Sequence, residues 1–335
     1  AAAVACEACE PPPPAAELPT PPEPRPSRPA TRGTKRSVDY MLEGTSVREN
    51  RHLARFARAP YLQAILDDPA CDGMMRRQGK HLRKEITEAF AILQAIESHL
   101  GAAHHPACIV DLCSGKGFQA LILAHEFPAC DVLMVDNNTG IKTEHVNSLP
   151  NLRFLRADIL SPGFGATLAA QLPDAAKGAS LLVGVHLCGP LSPAAAALYG
   201  ALPQFALLLL VPCCLDRRTD GVIKERARQL AVEPFELKVE ELRAAMVAHG
   251  AWRVAVLRDE AMRSQGGASS EGGAATKNAI IVGSRLLAGR VLSRRAAGRH
   301  TSFLSVGVAG GVEGAPREVE VLLKGRAAGG LLDDD

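Results

Sequence analysis

At 335 residues the chain is long enough for one large domain with appendages, and 47% hydrophobic residues allow a substantial core. Aromatic residues make up only 4%, so that core must be aliphatic, and a formal net charge of +2 neither requires nor excludes a polyanionic partner. No apolar run approaches the ~20 residues of a membrane-spanning helix, which argues against a membrane protein. Nine cysteines without framework spacing read as reduced thiols of an intracellular protein, cytoplasmic or nuclear. The chain starts at Ala1 rather than Met, which leaves an upstream leader, and with it an organelle, open.

Residues 1–36 are dense in proline (Pro11 to Pro14, then PTPPEPRPSRP), a composition that stays extended or disordered because it cannot build a packed core. Cys6 and Cys9 form a lone CxxC there; with no second pair nearby they read as incidental, and no metal site is expected. Residues 37–100 turn helical. Val47, Leu53, Phe56, Tyr61, Ile65 and Leu66 fall on one stripe interrupted at Pro60; Ile86, Phe90, Leu93 and Ile96 fall on another that ends at Gly101. The start of this second helix carries Arg76, Arg77, Lys80, His81, Arg83 and Lys84. Either it is a solvated face or it is a basic lip for an anionic substrate such as RNA.

From residue 101 to 285 apolar strands alternate with helical connections. Strands are expected at 109–112, 132–136, 152–158, 181–187, 205–211, 252–257 and 278–282; helices at 119–126, 141–147, 164–172, 192–202, 220–230 and 239–249. Such alternation implies a parallel sheet with right-handed crossovers. The last two strands are joined by a Gly- and Ser-rich stretch without helical period, which makes them a long hairpin and turns the final strand antiparallel. Residues 286–335 read as a weakly structured basic and Gly/Ala tail, with short strands near 303–308 and 318–323.

The chemistry concentrates in CIVDLCSGKGFQA, residues 108–120. A strand runs into a loop with Gly115 and Gly117 and then into a helix, the arrangement in which backbone approaches a ligand where no Cβ intrudes. GKGFQA also fits the loose G-x-G-x-x-A form of a dinucleotide site. Asp136, closing the second strand, is the acid expected about twenty positions on to grip a ribose. Asp111, at the exit of the first strand, is less typical of a dinucleotide enzyme, and so is the reversed last strand.

Seven strands with a reversed last one, and DLCSGKG at the first strand, resemble the class I S-adenosylmethionine (SAM) methyltransferases over roughly residues 75–285. The resemblance implies an α/β fold with a seven-stranded Rossmann-like methyltransferase sheet, an antiparallel last strand and a helical N-terminal extension. It also implies SAM as cofactor. Asp111, Gly115 and Gly117 would meet the methionine moiety, Asp136 the ribose hydroxyls and Asp158 the adenine amine, with Ala157 or Ile159 along the ring. Cys113 and Asn137 count with them as cofactor-binding. The physical logic agrees, since SAM offers an ammonium, a vicinal diol and an exocyclic amine to carboxylates.

Two further motifs, VGVHLCGPLS at the fourth strand and VPCCLD at the fifth, are similar to the eukaryotic group containing the tRNA acceptor-stem ribose methyltransferase and methyltransferase-like proteins. No CHHC-type zinc finger accompanies them, so that enzyme's substrate does not transfer, and RNA is only weakly favoured. His186, Cys188, Cys213 and Cys214 are the candidate catalytic residues. Three readings stay open for them. They line the acceptor pocket with His186 as general base or orienting group; they are core packing; or the thiols attack a pyrimidine or hold a metal. A catalytically silent SAM-fold binding module and a nicotinamide-dependent oxidoreductase remain as alternatives to an active methyltransferase.

Overall fold

The computed structural model describes residues 50–78, 81–100, 105–173, 179–212, 215, 221–263, 278–286, 289–298, 301–308 and 318–324. For 77–78 and for everything after 288 that description covers the backbone alone. The Pro-rich arm, with Cys6 and Cys9, and Val47 lie outside it, as do Cys213, Cys214 and most of the Gly/Ser-rich stretch.

Four helices come first: α1 (Arg51–Ala57), α2 (Leu62–Asp67), α3 (Pro69–Gln78) and α4 (Leu82–Leu100). The alternating body follows as β1 (Cys108–Leu112), α5 (Phe118–Glu126), β2 (Asp131–Asp136), β3 (Leu152–Arg156), α6 (Phe164–Ala169), β4 (Ser180–Leu187), α7 (Leu191–Ala201) and β5 (Phe205–Pro212). Then come α8 (Gly221–Leu230), α9 (Pro234–Ala248), β6 (Arg253–Arg258), α10 (Glu260–Arg263) and β7 (Ala279–Ser284). These seven strands form one sheet in the order β3-β2-β1-β4-β5-β7-β6. β1 to β5 pair in parallel, and β7 runs antiparallel to both β5 and β6, as the hairpin reading expects.

The strands bury both faces, so successive residues serve two different cores. Ile109, Val132, Met134, Val183 and Leu209 pack on one side with Leu53 and Phe56 of α1, Ile86 and Phe90 of α4, and Phe118 of α5. Val110, Leu112, Val135, Leu182 and Leu210 pack on the other with Leu168 of α6, Tyr199 of α7 and Phe235 and Met246 of α9. Aromatics are few, but three of them meet edge to face: Phe56 lies 5.8 Å from Phe90 and 6.0 Å from Phe118, centroid to centroid. Such pairs contribute about 0.5–1.5 kcal/mol beyond the area they bury. They fix α1 to α4 and to α5.

A second tie sits at the start of α1. Asn50 caps the helix by accepting from the amides of His52 and Leu53, while its amide group donates to Thr87 Oγ1 on α4 at 3.0 Å. His52, only 3% exposed at its side chain, places Nε2 2.7 Å from Asp259 Oδ2, and Arg51 reaches the same oxygen at 2.8 Å. Asp259 Oδ1 accepts from Ala261 N at the start of α10. The N-terminal extension is thereby fastened to the end of β6.

Four elements differ from the sequence reading, the first being α10, a short helix at the start of the connection read as having no helical period. The helix expected at 141–147 is a short 3₁₀ turn, Glu144–Ser148, because Asn138 Oδ1 accepts from Gly140 N and keeps the preceding residues in a turn. α9 begins at Pro234 rather than near 239: Glu233 accepts from Glu236 N at 2.8 Å and proline suits the first helical position. Beyond Arg285, where weak structure is expected, the backbone forms a three-stranded antiparallel sheet of β8 (Gly289–Gly298), β9 (Thr301–Val308) and β10 (Glu318–Lys324).

Candidate active site

In a sheet of this order, ligands bind outside the carboxyl ends of the parallel strands. β1 ends there in a loop with three left-handed residues, Cys113 (φ 53°), Gly115 (φ 55°) and Gly117 (φ 81°). Gly117 needs its missing side chain as well as its φ: a Cβ there would lie 2.4 Å from Met134 Cε and 2.6 Å from His145 Nε2. At Gly115 a Cβ would meet nothing within 4 Å, so the loop is open on that side.

Asp136, at the end of β2, fastens this loop. Its Oδ2 accepts from Gly115 N at 2.9 Å and its Oδ1 from Asn138 N at 2.8 Å. Asp158, just past β3, accepts from Leu160 N at 2.9 Å. Ile159 beside it is buried, while Asn137 is exposed. The charges of Asp136, Asp111 and Asp158 all act on Cys113. Burial first, then those charges, push the Cys113 thiol up to about 12, which keeps it protonated at neutral pH.

Asp111 is the least ordinary of the three. It is 2% exposed; its Oδ1 accepts from Gln119 Nε2 at 3.0 Å, and its Oδ2 has no partner among the described residues. Burial, followed by the charges of Glu85 and Asp136, raises its carboxyl to about 8. An enclosed oxygen without a donor is costly, by about 1–3 kcal/mol, unless a ligand supplies one.

The end of β4 is built differently. The ladder to β5 passes from Val185 opposite Val211 to Leu187 opposite Pro212, leaving His186 as the extra residue of a bulge at φ 59°. Its imidazole lies against α4, with Nε2 3.0 Å from Glu88 and in contact with Lys84 Nζ. Lys84 and Glu88, one turn apart, are 2.9 Å from each other. Glu88 is 6% exposed. Burial works against its charge, but the hydrogen bond and charge of His186, and Lys84 after them, outweigh it and hold the carboxyl below its usual range. Glu85 goes the other way, raised by burial and by Glu88. Cys188 turns its thiol to His186 O at 3.4 Å.

The structure thus gathers Asp111, Cys113, Gly115, Gly117, Asp136 and Asp158 around one loop, and His186 with Cys188 at the next strand end. Cys213 and Cys214 lie outside the described residues. Among the described residues no cluster of three or more His, Cys, Asp or Glu side chains is placed to hold a metal ion. The sequence reading missed Glu85 and Glu88 and took Lys84 for part of a basic face. One signal was available in the sequence: in the mostly apolar run Ile86–Leu93, Glu88 is the one ionisable residue.

A parallel sheet with a single reversed strand, in this order and with acids at the ends of β1 to β3, defines the Rossmann-like methyltransferase architecture. Residues 81–218 match the model of a family described as a methyltransferase domain. Among solved structures the chain is similar to the plantazolicin methyltransferase BpumL in complex with SAH, at 14% identity over 73% of this chain and 97% of that one, with a TM-score of 0.35. It is similar to human N-acetylserotonin methyltransferase in complex with SAM at 12% identity, over 74% of this chain and 66% of that one, TM-score 0.35. The CurJ carbon methyltransferase gives 12%, 75%, 70% and 0.39 in the same order. No curated protein sequence matches the chain.

Proposed function

We propose that the chain is a SAM-dependent methyltransferase. The observation that carries this is the enclosed oxygen of Asp111, unpartnered among the described residues, beside an open glycine loop, with Asp136 at the end of β2 and Asp158 just past the end of β3. That set suits a ligand bearing an ammonium and further N–H and O–H donors. Asp111 would take the ammonium, Asp136 the ribose diol through the lone pairs its two amide contacts leave, and Asp158 the adenine amine, with Ile159 against the ring. Bound SAM supplies a methyl group already activated on a sulfonium. The chain's work is therefore alignment and the handling of one proton.

The match of residues 81–218 to a methyltransferase-domain family supports the reading. The HLCG run from His186 to Gly189 places the nearer resemblance to the eukaryotic group within this proposal. An RNA acceptor draws less support: of the basic run at α3 and α4, Arg76 is paired with Asp72 and Lys84 with Glu88. Titration calorimetry with SAM and with NAD tests the proposal. SAM binding that Asp111→Asn weakens, and no NAD binding, is the expected result; NAD binding without SAM binding overturns it.

A further inference from the structure

The carboxylate-lined loops account for a cofactor and leave the charged cluster between α4 and β4 without a task. Lys84, Glu88 and His186 come together from positions 102 and 98 residues apart. A left-handed φ at a residue other than glycine stores about 1–3 kcal/mol and persists only where the surroundings enforce it. At His186 the bulge withdraws the residue from the ladder and sets its imidazole against an acid held inside the protein. A histidine serving only as packing needs neither the bulge nor a desolvated carboxylate, which is expensive to keep ionised.

We propose that Glu88 is a positioning residue that, with Lys84, holds His186 as the base for the acceptor's proton, so that the acceptor is an oxygen or nitrogen nucleophile still protonated at neutral pH. This rests on the methyltransferase reading. Nε2 meets both Glu88 and the Lys84 ammonium; with Nε2–H donated to Glu88, and Lys84 paired to that same carboxylate, the imidazole's other nitrogen is the one that takes the proton. As the acceptor's lone pair bonds to the methyl carbon, the carbon–sulfur bond breaks and its electron pair stays on sulfur. The acceptor's proton passes to the imidazole, whose new positive charge Glu88 balances. Two neighbours among the described residues do not suit that role: the Cys113 thiol is held at about 12, and Asp111 is bound by Gln119. An imidazole, ordinarily near 6.5, takes a proton close to physiological pH.

Charges of both signs surround the imidazole. Lys84, Glu85 and Glu88 face the imidazole from α4, and Lys116 of the glycine loop and Asp111 of β1 act through Glu85.

The test uses the full chain, with wild type, Glu88→Gln and Glu88→Asp compared. Calorimetry first measures SAM affinity; ¹⁵N-histidine spectra of the complex with S-adenosylhomocysteine then read the His186 tautomer. Transfer of tritiated methyl from SAM to the RNA, protein and metabolite pools of a cell extract gives the rate against pH and the acceptor atom. We expect Glu88→Gln to bind SAM within about twofold of wild type, lose the Nε2–H tautomer, and transfer methyl roughly 10²-fold more slowly. Its acid limb should move to lower pH, and Glu88→Asp should restore part of the rate. An unchanged tautomer and rate in Glu88→Gln overturns the proposal. So does a methyl group found on an atom that had no proton to give, or wild type that binds SAM but labels no pool. Failure of wild type to bind SAM overturns the methyltransferase reading itself.

Discussion

The two ends of the site are held by different means. On the cofactor side, side chains are fixed by nearby backbone amides: Asp136 by Asn138 N, Asp158 by Leu160 N, and Asn138 by Gly140 N. On the side proposed for the acceptor, His186 is fixed by Lys84 and Glu88 across almost a hundred residues of sequence. The first end comes almost complete with the strands that carry it. The second exists only when the N-terminal helices are docked, through Phe56, Phe90 and Phe118 and through His52 with Asp259. Damage to the loops should therefore strike binding of SAM, whereas damage to the docking should strike stability and transfer while sparing affinity.

The largest effect is expected at Gly117. A Val side chain adds a Cβ to a space already filled by Met134 and His145, at a φ that β-branched residues avoid. Gly117→Val should abolish measurable SAM binding by calorimetry, with the helices outside the loop retained by circular dichroism.

Asp111→Asn comes next, with SAM affinity expected to fall roughly 10²-fold, the scale of a charge-assisted hydrogen bond. The proton count sharpens this prediction. With its carboxyl near 8, Asp111 is mostly protonated at pH 7 in the free protein, and an ammonium ligand requires the anion. Binding at pH 7 should therefore release close to one proton, read as a calorimetric enthalpy that varies with the buffer; the variant should release none from this position. For stability the sign is opposite. A carboxyl raised in the fold contributes stability that is full below the ordinary Asp range near 4 and is lost as pH rises through about 8. Asp111→Asn should then melt higher than wild type above pH 8 in the absence of ligand.

On the other side of the comparison, Asp259→Asn should cost about 2 kcal/mol by urea denaturation at pH 7, with SAM affinity unchanged. Burial works against the Asp259 charge, but the hydrogen bonds of His52 and then Arg51 outweigh it and hold the carboxyl far below its usual range. A depressed carboxyl contributes stability that is present above about 4 and lost as pH falls, so the gap between wild type and variant should close in acid. A variant that loses SAM affinity as well would erase the distinction between the two ends.

The same difference governs what could be read without a structure. The strands were legible because Leu207–Leu210 and Val132–Val135 are apolar on both faces, and the reversal of β7 was read from a Gly- and Ser-rich connection, which holds one four-residue helix, α10. Asp111, Asp136 and Asp158 could be placed at strand ends from the sequence because each lies in or just past its own apolar run. Glu88 was not: its partner is remote, and an acid in a helical stripe gives no sign of its neighbour until the helix is packed. β8 was missed for a simpler reason, since GRVLSRRAAG is rich in residues that disfavour strands and only its pairing with β9 fixes it. α9 began early because its cap, Glu233 with Pro234, lies ahead of the apolar period that marks the helix.

Gly115→Ala should have the smallest effect and separates two reasons for a glycine. At Gly117 the fault is mainly collision; at Gly115 nothing stands within 4 Å of the added methyl, and only the φ of 55° opposes it. A left-handed conformation costs an L-residue about 1–2 kcal/mol, so that should be the whole loss of stability by denaturant titration. Gly115 N is the donor to Asp136 Oδ2, and alanine keeps that amide, so the link between the two loops survives. SAM affinity should accordingly fall less than tenfold. A larger loss, with stability falling only by the expected amount, would mean that the ligand itself fills the space beside Gly115, and the cofactor end would then be shaped by its occupant as well as by its own amides.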